Sequence, residues 1–121
     1  MRVMMFVRAD KNSEAGVPPS AENLAAMGRV IEEMAKAGVL LGAEGLQPSS
    51  RGVRVKVAGG KRTVTDGPFT ESKELVAGYA LIQVKSLAEA IEWSVRFAEV
   101  QPDFESELRP LSEAADHAAA S

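Results

Sequence analysis

The sequence predicts an α+β domain in which an antiparallel sheet of β-α-β-β-α-β order carries two helices on one face. Three observations predict it. Met1 to Arg8 and Val76 to Val84 are apolar at both alternating sets of positions, as strands covered on both faces are. Two other segments alternate apolar with charged residues, the pattern of edge strands with one wet face. Two longer stretches place apolar residues at helical spacing behind a serine that can cap a helix N-terminus.

Taken in order, the first strand has Val3, Met5 and Val7 on one side and Met4 and Phe6 on the other. A polar loop with Gly16, Pro18 and Pro19 follows. Ser20 caps the first helix and Glu22 lies favourably in its first turn. Leu24, Met27, Ile31, Met34 and Ala35 form its apolar stripe. Gly28 lies within that stripe at a propensity cost of about 1 kcal/mol against alanine, so close packing against the sheet is expected there. Gly38 ends the helix.

The apolar, glycine-broken run from Val39 reads as a bent strand ending at Pro48. From Gly52 to Val57, valines alternate with Arg54 and Lys56, which predicts a strand with one wet face; Arg62 to Thr65 returns as its hairpin partner. After a loop, the strand to Val84 leads to a capping box at Ser86 and Glu89. Leu87, Ala90, Ile91, Ser94, Phe97 and Ala98 share one face of the second helix, with Trp93 and Val100 at its edge. Phe104, Ser106 and Leu108 alternate with Glu105, Glu107 and Arg109 in a last strand closed by Pro110. This is the ferredoxin-like order, with its third strand position elaborated by the hairpin and loop; in it the first and third strands are central. Two helices cover only one face of such a sheet. The second apolar face calls for another cover, and a homodimer supplies one.

The chain of 121 residues suits one domain, and its 45% apolar and 26% charged content is that of a soluble globular protein. A net charge of −3 gives no basic footprint for nucleic acid. The apolar run at the N-terminus is shorter than the core of a secretion signal, and no stretch approaches a membrane span, so a cytoplasmic location is expected. The absence of cysteine excludes thiolate nucleophiles and cysteine-based metal sites. The only histidine, His117, lies in a small polar tail, residues 113–121, expected to be flexible. No metal site and no cofactor are expected.

The string GGKRTVTDGPFTESKELVAGY, from Gly59 to Tyr79, resembles the signature of the YCII-related (YciI-like) family, specifically its DGPF-motif group. The segments AGVLLGAEGLQPSS, SLAEAIEWSVRF and ESELRPL are similar to that group's other segments, and the resemblance covers residues 1–112. It implies a ferredoxin-like fold of the dimeric α+β-barrel type, bacterial genes often found beside alternative sigma factors, and no established reaction for the group. Related barrels include small monooxygenases and isomerases, often cofactor-free. A histidine–aspartate pair is suspected in the YciI-like branch. Here no histidine precedes His117, and Gln47 stands where relatives often carry histidine, so that mechanism does not carry over.

Asp66-Gly67-Pro68 admits two readings. As turn chemistry, the Asp66 carboxylate accepts from backbone N–H groups just downstream, glycine gives unusual φ freely and proline fixes φ. As a site, the loop presents carboxylates to a cleft on rigid strands. Asp66 and Glu71 are then the catalytic candidates, while Arg54, Phe69, Lys73 and Tyr79 are the ligand-binding ones. The first function class is a cofactor-free enzyme acting on a small molecule near this loop. The alternative is a small-molecule- or protein-binding module linked to sigma-factor transcription control. A structural dimer with no ligand is the third. An enzyme should show a pocket with a carboxylate base at Asp66, a sensor an apolar pocket without a base, and a protein-binding module an exposed apolar patch beyond the dimer contact.

Overall fold

The computed structural model describes residues 1–71, 74–101, 103–114 and 116. Strand β1 (Arg2–Arg8) is followed by a short helix α1 (Lys11–Glu14) and the long helix α2 (Ala21–Lys36). Strand β2 (Leu40–Gly45), a single 3-10 turn (Ser49–Arg51) and a hairpin of β3 (Val53–Ala58) and β4 (Lys61–Asp66) come next. Strand β5 (Val76–Gln83), helix α3 (Leu87–Val100) and β6 (Ser106–Pro110) complete the fold.

Four strands form an antiparallel sheet in the order β2-β5-β1-β6, and β3-β4 make a separate two-stranded sheet. The four-stranded order is ferredoxin-like, with the two doubly apolar strands at its centre. Alternation sorts their side chains. Val3 opposite Ile82 and Met5 opposite Ala80 face the helices, whereas Met4 opposite Leu81 and Phe6 opposite Tyr79 face away. On the helix side Val3, Met5, Val30, Met34 and Ile82 are fully buried. Each contributes about 1.5–3 kcal/mol relative to exposure. On the other side Met4, Phe6, Tyr79 and Leu81 remain half-buried, and no element of the described chain covers them.

Local chemistry accounts for the helix ends. Asn23 N–H donates to Ser20 Oγ at 3.1 Å. At the far end Val39 N–H donates to Met34 O and Gly38 N–H to Ala35 O, with Gly38 at φ 74°. That is the two-bond closure for which a glycine in the left-handed region is suited, and Val39 and Met34 both belong to the buried core. Glu89 N–H donates to Ser86 Oγ at 3.2 Å, but the Glu89 carboxylate reaches one residue further back than a capping box requires, to Lys85 N–H at 2.8 Å. Helix α1 stands where the sequence reads as plain loop; Asp10 and Ser13 cap it reciprocally.

Several expectations change. The buried stripe of α2 runs through Val30 and Met34, with Ile31 packed beside them; Leu24 is 54% exposed and Ala35 is exposed. Gly28 therefore does not pack on the sheet: it is exposed, and a Cβ there would meet nothing within 4 Å. On α3 the buried residues are Ala90 and Phe97, and Trp93 packs against the core while Ile91 stays half exposed. The strand expected to have one wet face, Gly52 to Val57, is not the sheet edge. That edge is β2, and the hairpin stands outside the sheet with all of its strand residues exposed.

The proposed tail begins with an anchor. Arg2 Nε and Nη2 donate to the two Glu113 oxygens, both at 3.0 Å, and Glu113 N–H donates to Asp116 Oδ2 at 2.9 Å. His117 and the residues after it lie outside the described residues. No described helix is long and apolar enough to cross a membrane.

Two outcomes follow from these contacts. Gly28→Ala should stabilise the protein by up to about 1 kcal/mol through helix propensity alone, read as a raised thermal midpoint; a lowered midpoint would show that this helix face meets a neighbour. The Arg2 guanidinium, by hydrogen bonding and charge, lowers the Glu113 carboxyl from its usual value. A carboxyl lowered on folding stabilises above its unfolded pKa of about 4.3 and loses that contribution as pH falls through the folded value. The midpoint gap between wild type and Glu113→Gln should therefore be full at neutral pH and close in acid below that value. A gap that persists unchanged there would contradict the assignment.

Candidate functional site

The loop that follows β4 is held by its backbone. Gly67 N–H donates to Gly52 O at 3.0 Å, and Gly52 N–H donates to Ser49 O at 2.9 Å. A Cβ on Gly67 would lie 1.8 Å from Ser49 O. Only glycine allows the loop to lie this close to the 3-10 turn. Phe69 N–H then donates to Ser49 Oγ at 3.0 Å.

Ser49 is the hub. Its hydroxyl donates to Glu14 Oε2 at 2.5 Å and its N–H donates to Glu14 Oε1 at 3.0 Å. The carboxylate of α1 thus grips both groups of Ser49, and Ser49 in turn receives Phe69. Hydrogen bonds to an ionised acceptor are the stronger kind. Three segments far apart in sequence, α1, the 3-10 turn and the loop, meet at one hydroxyl.

This geometry corrects the turn reading of Asp66. The N–H groups of Gly67 and Phe69 are committed to Gly52 and Ser49, and Pro68 has none. The Asp66 carboxylate is exposed at the end of β4 and accepts no hydrogen bond among the described residues. Arg54 and Phe69 do come together: the guanidinium carbon lies 3.9 Å from the ring centroid, a cation–π contact. Arg54 Nη2 also pairs with Glu74 Oε2 at 3.6 Å. Glu71 is exposed, and Lys73 lies outside the described residues. Gln47 accepts from Arg51 Nε at 3.2 Å and borders a shallow hollow of about 430 Å³ beside Ser49.

A larger cavity, of about 570 Å³, opens between the sheet and the helices. Met27 and Ile31 of α2, Ala43 of β2, Ala80 of β5, Phe97 of α3 and Phe104 form much of its wall. Ser13, Gly16 and Pro48 also border it. Ser13 adjoins Glu14 and Pro48 adjoins Ser49, so the Glu14–Ser49 clasp braces this wall from behind. Asp66, Arg54, Phe69 and Glu71 are not among the lining residues, whereas Tyr79 is. By strand alternation the Tyr79 ring stands with Phe6 and Glu44 on the opposite face of the sheet, and its main chain borders the cavity. Gln101 lines the cavity as well, and its Oε1 is buried without a hydrogen-bond partner among the described residues.

Glu14, Ser49, Gln101 and the cavity wall escaped the reading of the sequence. Glu14 and Ser49 are 35 positions apart, and no periodicity links them. Among the described residues, no three His, Cys, Asp or Glu side chains are grouped to hold a metal ion.

With fold and site in view, the chain can be placed. Residues 1–112 match the model of the YCII-related domain, and the chain belongs to that family. An uncharacterized protein of Rhizobium meliloti (strain 1021) is 33% identical over 84 residues, covering 69% of this chain and 68% of that protein. Among solved structures, the 5-chloro-2-hydroxyhydroquinone dehydrochlorinase of Burkholderia phenoliruptrix AC1100, in complex with 2,5-dihydroxybenzoquinone, superposes with a TM-score of 0.52. The match covers 95% of this chain and 97% of that one at 11% identity, a likeness of fold.

The clasp predicts a ranking. Ser49→Ala leaves the Phe69 N–H without its acceptor and Glu14 Oε2 without its donor, while the backbone bond to Glu14 Oε1 remains, and should cost about 1–3 kcal/mol. Gly67→Ala forces the loop off the turn and should cost more. Denaturant melts of both variants measure this; a Gly67→Ala protein as stable as wild type would contradict the close approach.

Proposed function

We propose that the chain is a binding module for a small, ring-sized, largely apolar molecule, held in the cavity between α2 and the sheet. The observation that carries this reading is the cavity itself. Its volume of about 570 Å³ falls in the range of small-molecule sites, and its wall is mainly aliphatic and aromatic. The carboxylate among its lining residues, Glu44, belongs by alternation to the opposite face of the sheet. Apolar enclosure without an inward-facing base supports binding more than proton transfer. The enzymatic reading, with Asp66 or Glu71 as base, would need those exposed carboxylates to act outside the cavity.

The module is proposed to work as a cytoplasmic homodimer joined through the open sheet face. Met4, Phe6, Tyr79 and Leu81 form its apolar centre, and Glu44, Glu107 and Arg109 stand around them in register. A self-complementary face of mixed charge suits an isologous contact. A sensor of this kind would fit sigma-factor-linked transcription control, the setting that the family resemblance implies.

Indole, a neutral and largely apolar aromatic ring, is a suitable ring-sized probe. At concentrations well above its Kd it should raise the thermal midpoint by several degrees, since about 100 times Kd contributes ~2.7 kcal/mol. Met27→Trp, which fills the cavity, should fold and lose that response. A panel of such rings that never shifts the midpoint, or a Met27→Trp protein that responds like wild type, would remove the cavity as the site.

A further inference from the structure

We propose that the hairpin β3–β4 is an assembly arm, and that its valine face packs against the same face of a second copy of this chain. Register defines the face. Val53 lies opposite Asp66, Val55 opposite Val64 and Val57 opposite Arg62. Alternation puts these six on one side and Arg54, Lys56, Thr63 and Thr65 on the other. The polar side is turned toward the protein body, because Arg54 rests on Phe69 and pairs with Glu74. The valine side is turned away, with Val53, Val55, Val57 and Val64 exposed by 57, 61, 68 and 55%.

A two-stranded ribbon is marginal in water without a packed face. Four valines bared on one surface approach the few hundred Å² that a monomer rarely leaves uncovered. The occupant follows from the charges at the two ends of the face. Val53 and Asp66 form one end, Val57 and Arg62 the other, and Val55 with Val64 the middle. Consider a two-fold axis crossing the strands at that middle pair. It stacks β3 on β3 and β4 on β4 in antiparallel sense. Val55 then meets Val55 and Val64 meets Val64, Val53 meets Val57, and Asp66 of each copy meets Arg62 of the other. The face is complementary to itself in both shape class and charge. This arrangement also gives Asp66 a role that neither turn nor cavity provides. One hairpin face is smaller than the roughly 800 Å² per partner of a stable interface, so the arm adds to another contact, such as the open sheet face, and is tested separately from it.

The chain has no cysteine, so Val55→Cys installs a single thiol at the proposed axis. With a short bis-maleimide at micromolar protein, Val55→Cys should give a covalent dimer, and Lys56→Cys, on the polar side, should not. Adding Asp66→Arg to Val55→Cys should lower the yield several-fold, and adding Arg62→Asp to that variant should restore it. Cross-linking of Val55→Cys no greater than that of Lys56→Cys would overturn the proposal, and so would a yield indifferent to the charge reversal. A dimer seen by light scattering without the Val55 cross-link would overturn the arm while leaving the sheet-face dimer standing.

Discussion

Strands β1 and β5 are apolar on both faces, and this constraint organises the molecule. Because alternate side chains point to opposite sides, Val3, Met5, Ala80 and Ile82 cannot be buried without presenting Met4, Phe6, Tyr79 and Leu81 on the reverse. Helices α2 and α3 settle the first set and bury it almost completely. The second set lies half-buried on an open face. A one-residue slip of register would exchange the two sets, so the pairing is specified by the core and leaves the open face no freedom.

The Asp-Gly-Pro-Phe loop acts chiefly through its main chain. Gly67 allows contact with the 3-10 turn, and Phe69 N–H completes the hydrogen bonding of Ser49. Glu14 closes the assembly from α1. Their chain neighbours Ser13 and Pro48 form part of the cavity wall. Loop and cavity are therefore adjacent through Glu14 and Ser49, whose chain neighbours stand in the wall. Gln101 gives that apolar space a polar neighbour whose acceptor has no partner among the described residues.

Much of the fold was legible from the sequence because its signals are local. Apolar character at both alternating sets of positions marked β1 and β5, Ser20 and Ser86 marked helix starts, and Gly38 marked a helix end. The helix faces were harder to fix. Leu24 and Ile91 satisfy helical spacing as well as Val30 and Trp93 do, and only the position of the sheet decides which face is buried. The hairpin misled for a similar reason: Val53, Val55 and Val57 alternate as an edge strand does, but alternation does not say which sheet a strand joins. Arg54 and Phe69, expected to bind a ligand, instead contact each other, outside the cavity lining. The Glu14–Ser49 clasp was not foreseen, since a contact across 35 positions leaves no periodic trace.

The open face gives the account its most direct test, because an apolar surface bounded by mixed charge should not remain in water. Light scattering across micromolar concentrations should give about twice the chain mass of 12.8 kDa, and Phe6→Lys should reduce it toward one chain. A well-behaved wild-type monomer throughout that range would contradict the account and leave Met4, Phe6, Tyr79 and Leu81 without a cover.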